Sequence, residues 1–217
     1  MDFVDVREFV SLVCEASGTS SDLAMKLVKA INRKLPDGYT VECESALKFI
    51  VICNDKVVGE FERKLDAGFI RHIGFWFDQK HRGKEIGSII LHASASVYRK
   101  AGIKGIRIDA QSGQVVGGKA NGAYTWARLG VDWKDEKERR RVKDLFMGFL
   151  LRMLLKRARI APSKQMIWWR ENEKLLAAEA LKATKTPKTL TTYMYNDIEV
   201  GKQFLLSDVE WRGVMRF

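Results

Sequence analysis

Proline is scarce in this chain of 217 residues, which holds only three, so long structureless linkers are not expected. Cysteine is as scarce. Cys14, Cys43 and Cys53 are odd in number and lack CxxC spacing, which argues against a disulfide framework and for reduced thiols. The three histidines, His72, His81 and His92, never fall beside a cysteine at ligand spacing, so no metal site is expected. No apolar run reaches bilayer length; the longest, LFMGFLLRMLL over 145–155, has an arginine within it. The opening MDFVDVREF is acidic and unlike a signal peptide. These absences lead to the expectation of a cytoplasmic protein without a membrane partner.

What is present is an ordinary globular mix, 46% hydrophobic and 30% charged, with a net charge of +11. That excess of cations suits anionic partners such as nucleotides, nucleic acid or acidic surfaces, and it equally serves plain solubility. Apolar spacing predicts helices over 4–16 and about 21–35, the second stopped by Pro36-Asp37-Gly38. The period then changes to that of strands: YTVECES, LKFIVIC and KVVGEFERK, with a turn at Asn54-Asp55, and GFIRHIGFWFD over 68–78. A helix to about Lys100 follows, then the buried-type strand IKGIRIDA, a glycine-rich loop QSGQVVGGKANG and a short helix AYTWARLG. This order describes a mixed α/β sheet. Beyond it, 135–160 and 164–183 read as two helices, and TLTTYMYN and GKQFLLSDVEWRGVMRF read as extended, a closing hairpin.

Between the fourth strand and its helix lies QKHRGKEIGSIIL, residues 79–91. A helix start presents unpaired N–H groups and a partial positive charge, and glycine lets those amides approach a phosphate. Arg82 to Gly87, RGKEIG, has glycine at both ends and an arginine able to pair the anion. A turn of this composition is also compatible with a purely structural role.

Residues 69–131 resemble the GNAT superfamily of acyl-CoA-dependent N-acyltransferases. RGKEIGSIIL is similar to the family form RGKGIGxxLL, WARLGV (126–131) to YxKLGF, and IKGIRIDA stands where the fifth strand belongs. The resemblance implies an α/β fold with a GNAT-like, mostly antiparallel central sheet flanked by helices, with the C-terminal helices and hairpin as an elaboration. It implies an acyl-CoA-binding core over 1–133 and an extension over 134–217. It also implies acetyl-CoA as the acyl donor, its diphosphate held by Arg82, Gly83, Lys84, Glu85, Ile86, Gly87 and Ser88, its pantetheine arm by Phe77. Two positions depart from the family form. Glu85 replaces its central glycine, putting a carboxylate near the expected diphosphate. Trp126 replaces the tyrosine that returns a proton to the departing thiolate, and an indole N–H is no acid near neutral pH. Tyr124 is the nearest substitute, although on a helix it points about 200° away from Trp126.

Acyl transfer to an amine needs a group to take the amine proton. Glu60 and Glu62 alternate on the third strand, His72 lies in the fourth and Asp109 ends the fifth. All are candidates by type and place, and each type also commonly serves as a satisfied surface or core group. His81 reads as a turn residue beside Arg82, and His92 as exposed. The basic helix ERRRVKDLFMGFLLRMLLKRARI carries a broad apolar stripe with cations at both ends. It fits a core helix with a solvated face. It also fits a surface for RNA or another polyanion over 137–170, with Trp168 and Trp169 adding stacking area. The acceptor amine is left open between protein, aminoacyl-tRNA and small molecule, as is oligomeric state. The alternative to an enzyme is a non-catalytic module of the same fold that binds nucleic acid or protein through its basic surface.

Overall fold

A computed structural model describes residues 23–45, 48–115, 118–207 and 209–217. The helix expected over 4–16 lies outside the described residues. The chain forms two compact units, Met1–Ile108 with Met215–Phe217, and Asp109–Val214.

In the first unit, α1 (Leu23–Asn32) buries Leu27 and Ile31. Its last residue clips it to the sheet: the Asn32 amide accepts from Val41 N at 2.7 Å and donates to Val41 O at 3.1 Å. Strands β1 (Tyr39–Ser45), β2 (Lys48–Cys53), β3 (Lys56–Asp66) and β4 (Phe69–Phe77) form an antiparallel meander. Asn54 and Asp55 both take positive φ (49° and 62°), the conformation that a two-residue hairpin turn demands and that these two residue types tolerate best. On β3, Val58, Phe61 and Arg63 are buried while Glu60, Glu62 and Lys64 face out.

The β3–β4 register slips once. Glu62 pairs with Gly74 and Arg63 with His72, leaving Ile73 as an extra residue on β4. The inward set on β4 is therefore Ile70 and His72 before the bulge, and Phe75 and Phe77 after it. Helix α2 (Ile86–Lys100) lays Ile86, Ile90, Ala93 and Val97 into the core, and Gly102 (φ 75°) ends it. Strand β5 (Gly105–Val115) returns parallel to β4, with a ladder running from Ile70–Ile106 to His72–Ile108 and no further. Gly105 is obligatory, because a Cβ there would lie 2.2 Å from the Met215 carbonyl oxygen.

Arg63 is wholly buried. Its guanidinium lies 4.5 Å from the Phe61 ring centre, donates to Ser94 Oγ at 3.0 Å and bonds the Tyr98 hydroxyl. Ring faces and hydroxyls thus replace part of the water this cation lost.

In the second unit, the rest of β5 pairs antiparallel with β6 (Gly118–Asn121), so the stretch expected as a glycine-rich loop contains paired strand. Then come α3 (Gly122–Arg128), β7 (Asp132–Trp133), α4 (Glu136–Arg157), α5 (Gln165–Ala183), α6 (Pro187–Thr191), α7 (Val200–Leu206) and β8 (Glu210–Arg216). Asp135 caps α4, accepting from Glu138 N at 2.8 Å. Val142, Phe146 and Leu150 form its buried stripe, narrower than the sequence suggested, since Leu145 is exposed. Phe146 meets Phe204 edge to face at 5.2 Å, and Trp133 meets Trp211 at 5.1 Å.

The closing hairpin expected over TLTTYMYN and the following residues does not form. Residues 187–191 and 200–206 are helical, and β8 pairs with β7 instead. Val200, Gly201, Phe204 and Leu205 recur at i, i+1, i+4 and i+5, a helical spacing that buries one face. Together these strands and helices make a mixed α/β architecture with a mostly antiparallel sheet flanked by helices.

Candidate functional site

The turn between β4 and α2 begins at Asp78, runs through a short 3-10 turn (Gln79–His81) and reaches α2 by way of Arg82 to Glu85. Two residues there take left-handed backbone: Gly83 at φ 78° and Glu85 at φ 61°. Glu85 thus adopts a conformation that glycine would adopt freely, and its side chain does not cap the helix. Among the described residues, no carbonyl or side chain accepts from the N–H groups of Gly83 through Ser88, whereas Arg82 N is spent on Gln79 O and Ile89 N on Glu85 O. Unspent amides at the start of a fifteen-residue helix are a site for an oxyanion.

Around them, Arg82, Gly83, Lys84 and Glu85 are exposed, Gly87 and Ser88 are half-buried, and Ile86 is anchored in the core. A Cβ on Gly83 would meet nothing within 4 Å, so the approach is open. Gly87 is small for a different reason: a Cβ there would sit 2.7 Å from the Phe75 ring. Arg82 Nε donates to Phe77 O at 2.8 Å, which ties the guanidinium to the end of β4 and leaves its remaining N–H groups for a ligand.

Tyr39, which no sequence motif singled out, braces the turn from β1. Its hydroxyl bonds His81 Nδ1 at 2.7 Å and accepts from Lys84 Nζ at 3.4 Å. Beside the turn opens a cleft of about 570 Å³ lined by Lys34, Glu85, Ser88, Ile89 and His92, the last exposed as expected.

The edge of β4 continues the site. Asp78 N donates to Val58 O, so in the alternating antiparallel pattern the even residues Gly74 and Trp76 bond β3, while Phe75 and Phe77 turn their main-chain groups the other way. The β4–β5 ladder has already stopped at His72, so the Phe77 N–H lies on an edge beyond the end of that ladder. An extended ligand arm with amide groups could bond there as a strand does.

The expected proton-transfer residues lie on different elements, Glu60 and His72 in the first unit and Asp109 and Tyr124 in the second. Glu60 is exposed on the outer face of β3 and holds Lys48 Nζ at 3.2 Å. His72 is 5% exposed on the inner face of β4; burial, then the Arg63 charge, keep it well below the ordinary imidazole range and hence neutral. Asp109 is exposed on β5 in the second unit. Tyr124 is half-buried on α3, with the Arg128 guanidinium 5.8 Å from its ring centre, and Trp126 is buried in the same helix. Among the described residues, no group of carboxylates, histidines and cysteines is arranged to hold a metal ion.

No protein-family model matches the sequence, and comparison with curated proteins finds no match. Solved structures do match in part. One is a Bacillus anthracis protein described as a streptothricin acetyltransferase, in complex with acetyl coenzyme A (13% identity, 37% of this chain, 44% of that chain, TM-score 0.27). Another is a tandem GNAT protein from the clavulanic acid biosynthesis pathway (18% identity, 62% of this chain, 42% of that chain, TM-score 0.34). A third is the ribosomal-protein-S18-alanine N-acetyltransferase of Escherichia coli (12% identity, 54% of this chain, 67% of that chain, TM-score 0.29). The chain spans less than half the length of the first two. All three are acetyltransferases or GNAT proteins by their own descriptions, and the likeness is one of fold elements at low identity.

Proposed function

We propose that the chain is an N-acyltransferase of the GNAT type, moving an acetyl group from acetyl-CoA to an amine by direct attack. The observation that carries this reading is the row of unspent N–H groups from Gly83 to Ser88, set beside the unladdered edge of β4. In this reading Gly83, Lys84, Glu85, Ile86, Gly87 and Ser88 lend main-chain donors to the diphosphate, and Arg82 pairs it from the rim. Phe77 offers its main-chain N–H to the pantetheine arm. Acetyl-CoA, when bound, supplies the activated thioester.

Glu60 and Asp109, both carboxylates open to solvent, are the candidate acceptors for the amine proton. Tyr124 is the candidate donor to the thiolate, since Trp126 has no acidic proton to give. His72 is the weakest of the four candidates because its burial disfavours the imidazolium it would have to become.

Titration calorimetry with CoA tests the proposal. The parent should bind, and Arg82→Ala should weaken binding by about ten- to a hundredfold, as loss of a charge-assisted bond of about 1.5–3 kcal/mol implies. Absence of heat at millimolar CoA would end the acyltransferase reading.

A second reading keeps the fold without catalysis, the basic surface serving a polyanion. It is favoured by the Glu85 carboxylate in the turn and by the replacement of the family tyrosine by Trp126. Turnover of acetyl-CoA with any amine in a broad panel would dispose of it.

A further inference from the structure

We propose that the tip of the α4–α5 hairpin docks on anionic phospholipid headgroups and holds the protein peripherally at a bilayer surface. Between Leu151 and Arg170 the sequence has six cations and no carboxylate. Arg152, Lys156 and Arg157 stand on the last turns of α4, and Arg159 and Lys164 in the connection, all exposed like Arg170. Among the described residues none of the six joins an ion pair. At the other end of α4 the three arginines are matched: Arg139 and Arg140 bond Glu136, and Arg141 bonds Glu138. The carboxylate-free run of cations thus lies at one end of the hairpin. Glu171 and Glu173 mark where it stops on α5.

The same tip exposes aliphatic surface. Met166 is 63% and Ile167 59% exposed at the start of α5, and Trp168 and Trp169 beside them are half-buried. Three partners can be weighed on these facts. A nucleic acid would use the charge and stack on the indoles, but it offers nothing to Met166 and Ile167. A second copy of the chain would cover the aliphatic side chains, but a two-fold contact would set like charges against each other. A lipid interface answers both features: headgroup phosphates meet the cations, while two aliphatic side chains and the indoles enter the boundary with the acyl chains. No helix among the described residues is long and apolar enough to cross a membrane, and a peripheral contact needs none. The expectation of no membrane partner rested on the lack of a spanning run and of a signal-like start, neither of which bears on a peripheral contact.

Co-sedimentation with vesicles, using the full chain, tests the proposal independently of CoA binding. Binding is expected to vesicles of phosphatidylcholine with phosphatidylserine and not to phosphatidylcholine alone, and to fall as salt rises. Arg157→Ala and Arg159→Ala should each lower the affinity about fivefold. Ile167→Asn, on an exposed site that leaves the circular dichroism spectrum unchanged, should lower it about tenfold. A fluorescent single-stranded RNA and sedimentation velocity form the other arms. The proposal is overturned by no pelleting with anionic vesicles at low salt, or by pelleting that ignores Ile167→Asn. It is equally overturned by RNA binding without vesicle binding, or by a dimer that Ile167→Asn dissolves.

Discussion

Glu85 offers the sharpest test of the turn, because two properties of that one residue can be separated. Its backbone sits at φ 61°, a left-handed conformation that costs a residue with a Cβ about 1–2 kcal/mol. Glycine would relieve that cost and give back about 0.5–1 kcal/mol through its freer unfolded chain. The carboxylate also stands at the start of α2, where a negative charge gains about 0.3–1 kcal/mol from the helix dipole. Glu85→Gln removes the charge and keeps the Cβ; Glu85→Gly removes both. The pair therefore isolates the backbone term, leaving roughly 0.5–1 kcal/mol in favour of glycine. In a chain of this size that corresponds to a melting temperature about 1–4 °C higher for Glu85→Gly than for Glu85→Gln. Both variants should bind CoA about fivefold more tightly than the parent at low salt, since like charges about 4 Å apart repel by about 1 kcal/mol in water. The gain should shrink at high salt. Thermal melts followed by circular dichroism and calorimetry at two ionic strengths measure both effects. If Glu85→Gly melts below Glu85→Gln, the left-handed turn is not what the chain adopts in solution. If CoA binds the parent and Glu85→Gln with equal affinity at low salt, the anion does not sit at this turn.

Gly87→Ala should destabilise the first unit by about 1–3 kcal/mol through overpacking against Phe75. Urea unfolding measures this, and Phe75→Leu in the same chain should recover part of the loss. For His72 the folded state disfavours the proton that the unfolded chain accepts near pH 6.5, so its contribution is complete above that pH. Stability should fall as pH drops below 6.5, by at most about 1.4 kcal/mol per pH unit from this group. His72→Gln should flatten the difference in urea midpoint between pH 7.5 and 5.5; an unaltered slope would acquit His72. Glu138 is 8% exposed and accepts from Arg141 Nη2 at 2.6 Å and from Arg212 N at 2.8 Å. Burial alone would raise its carboxyl, and these donors outweigh it, holding it below the usual carboxylate range. Glu138→Ala strands the Arg212 N–H, while Arg141 Nη2 keeps the Glu210 carbonyl at 2.7 Å, and it should cost about 1–3 kcal/mol, read by denaturant unfolding.

Local chemistry made much of the first unit legible. The alternation in KVVGEFERK, the Asn54-Asp55 turn and the glycine-flanked basic stretch before α2 each act within a few residues, and each appears where its pattern lies. The four proton-transfer candidates were legible only as residue types. Glu60 and His72 sit on neighbouring strands, yet one holds a lysine in solvent and the other is sealed beside a buried arginine.

What the sequence determined by itself is therefore the run of elements from α1 to β5, the short α3, the long helices α4 and α5, and the character of the turn, since spacing and turn chemistry are local properties. Tertiary structure decided the exceptions. The bulge at Ile73 exchanged which face of β4 is inward, because one extra residue reverses the alternation of everything after it. The helical spacing within 200–206 is local, but the Phe146 ring that covers Phe204 comes from 58 residues away. Arg63 went inside because distant rings and hydroxyls were there to surround it.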